Sequence, residues 1–216
     1  MAVEGNAAHD QLLGCATVLE ACAGVLADRP TAESLSCLQQ VAAVAGWVGF
    51  ERFSAGVKLD QLFDQRFLVA GGSLYVPLSE NSVRHRKAEA GRVAHGPVEG
   101  AYSAHVAACY EAAGFNWRDA MGNGLFAHAA PPDTLAAELL FTAWLVRSWV
   151  QPAESGAEQQ SCHAAVLAKQ FCEQHLSRWA SDAAALLAVG EEDLFSQAAG
   201  LAAQTTEVLM GELPRA

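Results

Sequence analysis

One stretch constrains the fold more than any other: Pro131-Pro132-Asp133-Thr134 and the apolar run that follows it, Leu135 to Trp149. The prolines hold the chain extended. Asp133 is placed to cap a helix, its carboxylate accepting from backbone N–H groups two and three residues on, a contribution of about 1 kcal/mol. Leu135, Leu139, Leu140, Phe141, Trp144, Leu145 and Val146 then leave no polar stripe, with only Glu138, Thr142 and Arg147 interrupting. A helix apolar nearly all round belongs in the middle of a bundle. At about 1.5 Å per residue it runs some 25 Å, about the width of a small domain, and it is too short and too interrupted to cross a membrane. Glu138 is the oddity, a carboxylate one turn into an otherwise buried helix.

The rest of the chain reads as helix at nearly every turn. Leu12, Ala16, Leu19, Ala23 and Leu26 recur at helical spacing in a first helix over Ala7–Ala27. Thr31 caps a second helix that carries Leu35, Leu38, Val41 or Ala42, and Trp47, and a third is expected over Val57–Phe67. From Ala70 to Pro97 periodicity disappears, and glycines and prolines punctuate a segment expected to be a long, mobile loop. Loops of that length inside a compact domain are usually functional or disordered. Helix resumes near Val98, with Tyr102, Val106, Cys109 and Ala113 inward and Gly114 at its end. A connector, Phe115–Ala130, leads to the central helix, and Gln151–Gly156 reads as a polar linker. A long helical stretch over Ala157–Leu187, with a break expected near Ser181-Asp182, precedes a last helix over Glu191–Met210 that carries acids in its first turn. No strand pattern competes. The expected fold is all-α, a single-domain bundle of about eight helices spanning 1–216, with a long loop after the third helix.

Charge narrows the function. With 24 acidic against 13 basic side chains the net charge is −11, which disfavours nucleic acid and anionic membranes and favours cationic partners. The six cysteines (15, 22, 37, 109, 162, 172) show no framework spacing and read as reduced thiols. Met1–Asp10 has neither a basic n-region nor an apolar h-region, so a cytoplasmic location is expected. Cys162-His163 and Cys172-x-x-His175 hold metal-ligand residue types, but in one helix they would spread along about 20 Å, so no metal is assigned and folding without metal or disulfide is expected. Gly122-Asn-Gly124-Leu-Phe-Ala127 matches the letters of a dinucleotide fingerprint without the strand that must precede it. No phosphate-binding loop and no nucleophile elbow are present, so no catalytic residue and no cofactor are assigned. Arg84-His85-Arg86-Lys87, with Arg92 nearby, gathers four of the thirteen basic residues. The cluster reads either as a solvated loop or as a contact to an acidic partner. The five tryptophans read as core residues, one or two of which could line a groove for an apolar peptide.

With these residues placed, Pro131-Pro-Asp-Thr-Leu-x-x-Glu-Leu-x-Phe141 resembles the E-P-x-D-H-x-x-x-E-L-x-F motif of the TorD/DmsD/NarJ family of cytoplasmic molybdoenzyme maturation chaperones. Phe63-x-x-x-Phe67 followed by Tyr75-Val-Pro77-Leu-Ser-Glu80-Asn-Ser-Val83 is similar to its Y-x-x-L-F and P-x-Y-E-S-V-Y elements. Phe171-x-x-x-His175-Leu-x-x-Trp179 is similar to its F-x-x-x-H-L-x-x-W. Arg29-Pro30 with Leu35 and Leu38 is similar to its P-x-x-x-x-L-x-x-L. The order holds from about residue 26 to 205. Thr134 stands where the family has His, Ala130 where it commonly has an acid, and the tyrosine of P-x-Y-E-S is displaced, which marks a divergent member.

The resemblance implies a helical chaperone that binds the apo catalytic subunit of a DMSO-reductase-family molybdenum oxidoreductase, together with its twin-arginine leader, until the cofactor is inserted. It implies no turnover, no nucleic acid and no integral membrane segment, with the chaperone acting as monomer or dimer. Alternatives are a helical scaffold or permanent subunit of a redox complex, and a weak GTP hydrolase. The client-binding residues expected on this basis are Tyr75, Pro77, Glu80, Asn81, Ser82, Pro132, Asp133 and Thr134, with Phe63, Phe67, Glu138, His175 and Trp179 in structural or secondary roles. A leader pairs arginines with an apolar segment, so an acidic, apolar-walled receptor suits it, each well-formed charge-assisted bond being worth roughly 1.5–3 kcal/mol. Asp133 and Glu80 are the expected client-facing pair. Glu138, about 140° further round the helix, is expected to face the helix's own neighbours in a structural role, satisfying a backbone N–H or an internal arginine.

Overall fold

The computed structural model describes residues 2–89, 92–122, 124, 129–150, 158–190 and 192–213. The helices are α1 (Ala2–Leu26), α2 (Ala32–Val44), α3 (Val57–Phe63), α4 (Glu80–Arg84), α5 (Ala101–Ala113), α6 (Trp117–Met121), α7 (Leu135–Val150), α8 (Glu158–Gln174), α9 (Ala180–Leu187) and α10 (Leu194–Glu212). The all-α expectation holds. The apolar run becomes α7 and takes the central place, packed against α1 on one side and α8 on another, while α10 closes the bundle against α1 and α9. Leu135, Leu139, Phe141, Leu145 and Val146 are all buried, and burying each such side chain contributes roughly 1.5–3 kcal/mol. Phe141 sits edge-on to Tyr110 and Phe171, with both centroid distances 4.8 Å. Phe63, Phe67 and Phe195 form a second edge-to-face group. Both geometries are those that aromatic quadrupoles favour. Among the described residues no helix is long and apolar enough to cross a membrane.

Local signals account for most helix boundaries. Thr31 caps α2 in a capping box with Ser34. Gly114, with φ 72°, ends α5 in the left-handed conformation that glycine adopts without a Cβ penalty. Asp193 caps α10, its Oδ1 accepting from the Ser196 amide at 2.9 Å. The expected first-turn acids of the last helix therefore fall just before it. α3 continues through a π-turn at Asp64–Leu68 that carries Arg66 inward, where its guanidinium meets Asp193 at 2.6 Å.

Four expectations are corrected. Residues 70–97 are not structureless. They hold α4 and a two-stranded antiparallel hairpin, β1 (Lys87–Glu89) and β2 (Arg92–Ala94), with Lys87 opposite Ala94. The segment is ordered because α4 is fastened on both sides, to 131–135 and to 96–99, as described below. The break in the long C-terminal helix comes at His175, followed by a 3₁₀ turn at Leu176–Arg178, not near Ser181. The inner face of α5 is Ser103, Val106 and Tyr110, while Cys109 is half-buried. The two arginines of the basic cluster are held within the chain, Arg84 by Glu80 at 2.6 Å and Arg86 by Asp182 at 2.9 Å, while His85 and Lys87 are exposed. The Gln151–Gly156 linker and most of the 122–127 glycine motif lie outside the described residues.

Candidate functional site

Two motif segments distant in sequence meet as neighbours. Ser79 and Thr134 form a bridge: the Glu80 amide donates to the Asp133 carbonyl at 2.8 Å, and the Leu135 amide donates to the Leu78 carbonyl at 3.1 Å. The Asp133 side chain does not cap its own helix. Its Oδ2 accepts from the backbone amide of Asn81 at 2.8 Å, near the start of α4. Thr134 is the residue that caps α7, its Oγ1 accepting from the Ala137 amide at 3.3 Å. One sequence motif thus supplies the start of α7 from Thr134 and a partner for the start of α4 from Asp133.

The far side of α4 is fastened as tightly. The Asn81 side-chain amide donates to the Pro97 carbonyl at 2.8 Å and the Ser82 hydroxyl donates to the same carbonyl at 3.2 Å. The Gly96 amide donates to the Ser82 carbonyl at 2.9 Å. A Cβ at Gly96 would lie 2.5 Å from that of His85, and one at Gly100 would overlap the Asn81 amide. These glycines permit the close approach.

At the centre stands Glu80, fully buried. Its Oε1 takes the Arg84 guanidinium at 2.6 Å and its Oε2 takes Nδ1 of His175 at 2.6 Å. Arg84 lies over the Tyr102 ring, 4.0 Å from its centroid, and donates to the Gln174 carbonyl. A carboxylate, an aromatic face and a carbonyl together hold one guanidinium. Glu138 presents its carboxylate within 4.8 Å of the Glu80 and His175 ligand atoms. Its Oε2 accepts from the Trp179 indole at 2.9 Å, while the buried Oε1 meets no donor. The structural role expected of Glu138 is thus filled by a tryptophan N–H, not by a backbone N–H or an internal arginine.

Protonation follows from this crowding. Burial, with the Glu80 charge adding, raises the Glu138 carboxyl well above the usual range against the opposing pull of the Trp179 hydrogen bond. A proton on Oε1 would remove the charge there. Asp133 is also raised, by burial first, with the Asn81 amide working against it. Burial alone would lower His175, but Cys109 and Glu80 outweigh it and push the imidazole up to about 9.

Of the expected client-binding residues, Pro77, Glu80, Asn81, Ser82, Asp133 and Thr134 are buried, and only Tyr75 and Pro132 are half-exposed. Tyr75 lines a cavity of about 710 Å³ with Arg66, Val93, His95 and Leu186. Asp133 and Glu80 are brought together as expected, but inside the protein, where they hold α4 rather than face solvent. Phe63, Phe67, Glu138, His175 and Trp179 are all buried. Cys162 and His163 are exposed on α8, whereas Cys172 and His175 are buried.

Sequence reasoning missed His105. Its Nδ1 lies 2.7 Å from Nε2 of His175, with Cys109 one helical turn along α5 beside them. The i, i+4 spacing of His105 and Cys109 was visible, but His175 lies seventy positions away in the chain.

In this helical bundle the motif segments close on a buried carboxylate and imidazole network that fastens the Pro77–Val83 segment inside the protein. The chain belongs to the nitrate reductase delta subunit family, whose sequence model matches residues 57–185, more than half of the chain. This is a family of molybdoenzyme maturation chaperones, not of catalysts. No curated protein and no solved structure matches the chain.

Proposed function

We propose that this chain binds the apo catalytic subunit of a molybdenum oxidoreductase, and the twin-arginine leader of that subunit, before cofactor insertion. The observation that carries this reading is the guanidinium cradle of Glu80, Tyr102 and the Gln174 carbonyl around Arg84. The cradle has the chemistry an arginine-bearing segment requires, and an internal arginine holds its place. Arg84 keeps a quarter of its side-chain surface exposed, so a client arginine can compete for Glu80 without unfolding the bundle. Displacing Arg84 would loosen α4 and with it the Pro77–Ser82 segment that Asp133 fastens. Tyr75 and Pro132 are the residues of this region that already reach the surface.

The test is calorimetric titration of an arginine-paired leader peptide into wild type, Arg84→Ala and Asp133→Asn. Removing the internal competitor in Arg84→Ala should tighten binding, and Asp133→Asn, which loosens the segment that Asp133 fastens, should tighten it to a smaller extent. Binding unchanged in both variants would remove the acidic site from the reading. Pull-down of a large apo-subunit that leaves once the enzyme is complete separates the chaperone from a permanent scaffold, which would remain.

A further inference from the structure

We infer that His105, Cys109 and His175 form a binding site for a zinc-class divalent transition ion on the outer side of the Glu80 clasp. Histidine and cysteine four positions apart lie on one face of a helix, and α5 presents them to the turn that carries His175. The three ligand atoms lie within 4.8 Å of one another. Zinc takes nitrogen at about 2.0–2.1 Å and sulfur at about 2.3 Å, so tetrahedral ligand atoms stand roughly 3.3–3.7 Å apart. The facing nitrogens of the two imidazoles lie 2.7 Å apart, with the ring planes 26° from parallel and the centroids 4.9 Å apart, and the Cys109 sulfur stands within 4.8 Å of a nitrogen of each ring. The 2.7 Å between the facing nitrogens must open by roughly 0.6 Å to admit the ion, and His105, the exposed member of the pair, is the ring that would move.

The supporting contacts are those a metal-bound histidine requires. His175 is buried and turns Nδ1 to the Glu80 carboxylate at 2.6 Å. A carboxylate on the remote nitrogen fixes the tautomer and orients the ring of a ligating histidine. Nε2 then faces the ion. On binding, Cys109 loses its thiol proton and the imidazoles lose the proton they share, both to solvent, leaving His105 with its N–H on the outer nitrogen and His175 with its N–H on Nδ1 towards Glu80. Three protein ligands leave a fourth position, and a cavity of about 370 Å³ lined by His105, Cys109, Gln170 and Gln174 gives both access and room for it. The inner group of Glu80, Glu138 and His175 does not compete, because both oxygens of Glu80 are already bonded to Arg84 and His175. The ion would load a bundle that is already folded and would tie α5 to the His175 turn.

The experiment uses the full chain carrying Cys37→Ser and Cys162→Ser, which removes the exposed thiols. Titration with Co²⁺ alone should give one equivalent per chain, with a thiolate-to-cobalt charge-transfer band that Zn²⁺ abolishes by displacement. Adding Cys109→Ser should remove the band, and His105→Ala should weaken Zn²⁺ at least tenfold. Neither position is a core residue, so both variants should fold. The inference is overturned if the parent gives no band, if the band survives Cys109→Ser, or if His105→Ala binds Zn²⁺ as tightly as its parent.

Discussion

The clasp around Glu80 and the groove between α1, α2 and α10 are opposite solutions to presenting a surface. The clasp lies within the family-matched span and is polar, buried and fixed by directional bonds to named atoms. The groove lies wholly outside that span. It is a cavity of about 600 Å³ lined by Cys15, Val18, Val41, Val44, Trp47, Leu201 and Val208, with glutamines at its rim. Val44 and Val48 beside it are 91% and 83% exposed. Directional networks lose much when one member goes, because the partner is left buried and unsatisfied. Apolar side chains already in solvent lose almost nothing. The clasp should therefore be brittle to substitution and the groove tolerant.

The sharpest way to break this contrast is Glu80→Ala. Removing one partner of a buried pair leaves an uncompensated charge at a cost of about 3–5 kcal/mol. Arg84 is partly exposed and His175 can lose its proton, so a loss near 3 kcal/mol is expected in urea unfolding at neutral pH. A loss below about 1 kcal/mol would mean that the clasp is not a cooperative unit.

Next in size is the response to pH. His175 has a folded pKa raised from 6.5 to about 9, so its contribution is fully present below about pH 6.5 and is lost as pH rises through about 9. The raised Glu138 carboxyl acts in the same direction. Stability should fall by roughly 2–3 kcal/mol across that window, taking about 1.4 kcal/mol per pKa unit. Thermal unfolding followed from pH 6 to 9.5 measures it. A midpoint that holds steady or rises over that range would contradict the assignment.

How much of this was legible follows from the range over which each signal acts. The caps at Thr31 and Gly114 and the continuously apolar α7 are local patterns, and the sequence carries them openly. The Asp133 carboxylate was read by the same local rule and misread, because its acceptor role is taken by the Asn81 amide, 52 positions away. Local capping preference is weak enough for one buried tertiary hydrogen bond to override it. α4 and the hairpin show no periodicity because both are too short, and α4 is held by bonds to Gly96, Pro97 and Asp133. The motif comparison brought Glu80 and Asp133 into one site. It gave no sign of their burial, since a motif states which residues recur and not which way they face.

Glu138→Gln tests the interior of the clasp with a smaller change. A carboxyl held neutral is close in shape and bonding to an amide. The side-chain oxygen of the glutamine can still accept from Trp179, and its NH₂ can donate toward Glu80. Stability should stay within about 1 kcal/mol of wild type at neutral pH, where an arginine-paired Glu138 would have cost several. The fall in stability with rising pH should also become shallower, because one of the two groups whose raised pKa drives it is gone. A large loss at neutral pH would show that Glu138 is charged in the folded protein.

The smallest effect is expected at the groove, from Val44→Lys. Val44 is the last residue of α2 and is almost wholly solvated, so little buried area is lost. Lysine has the higher helix propensity, and a cation in the last turn complements the helix dipole, by roughly 0.3–1 kcal/mol at exposed sites. No other basic residue stands in that turn. The variant should unfold within about 0.5 kcal/mol of wild type, on the stable side. A loss above 1 kcal/mol would require Val44 to be buried in solution. Since none of the described residues covers it, a second copy is the cover to test, and the loss should then grow smaller on dilution. That outcome would make the groove an interface with stakes as high as those of the clasp, and the contrast between the two regions would fail.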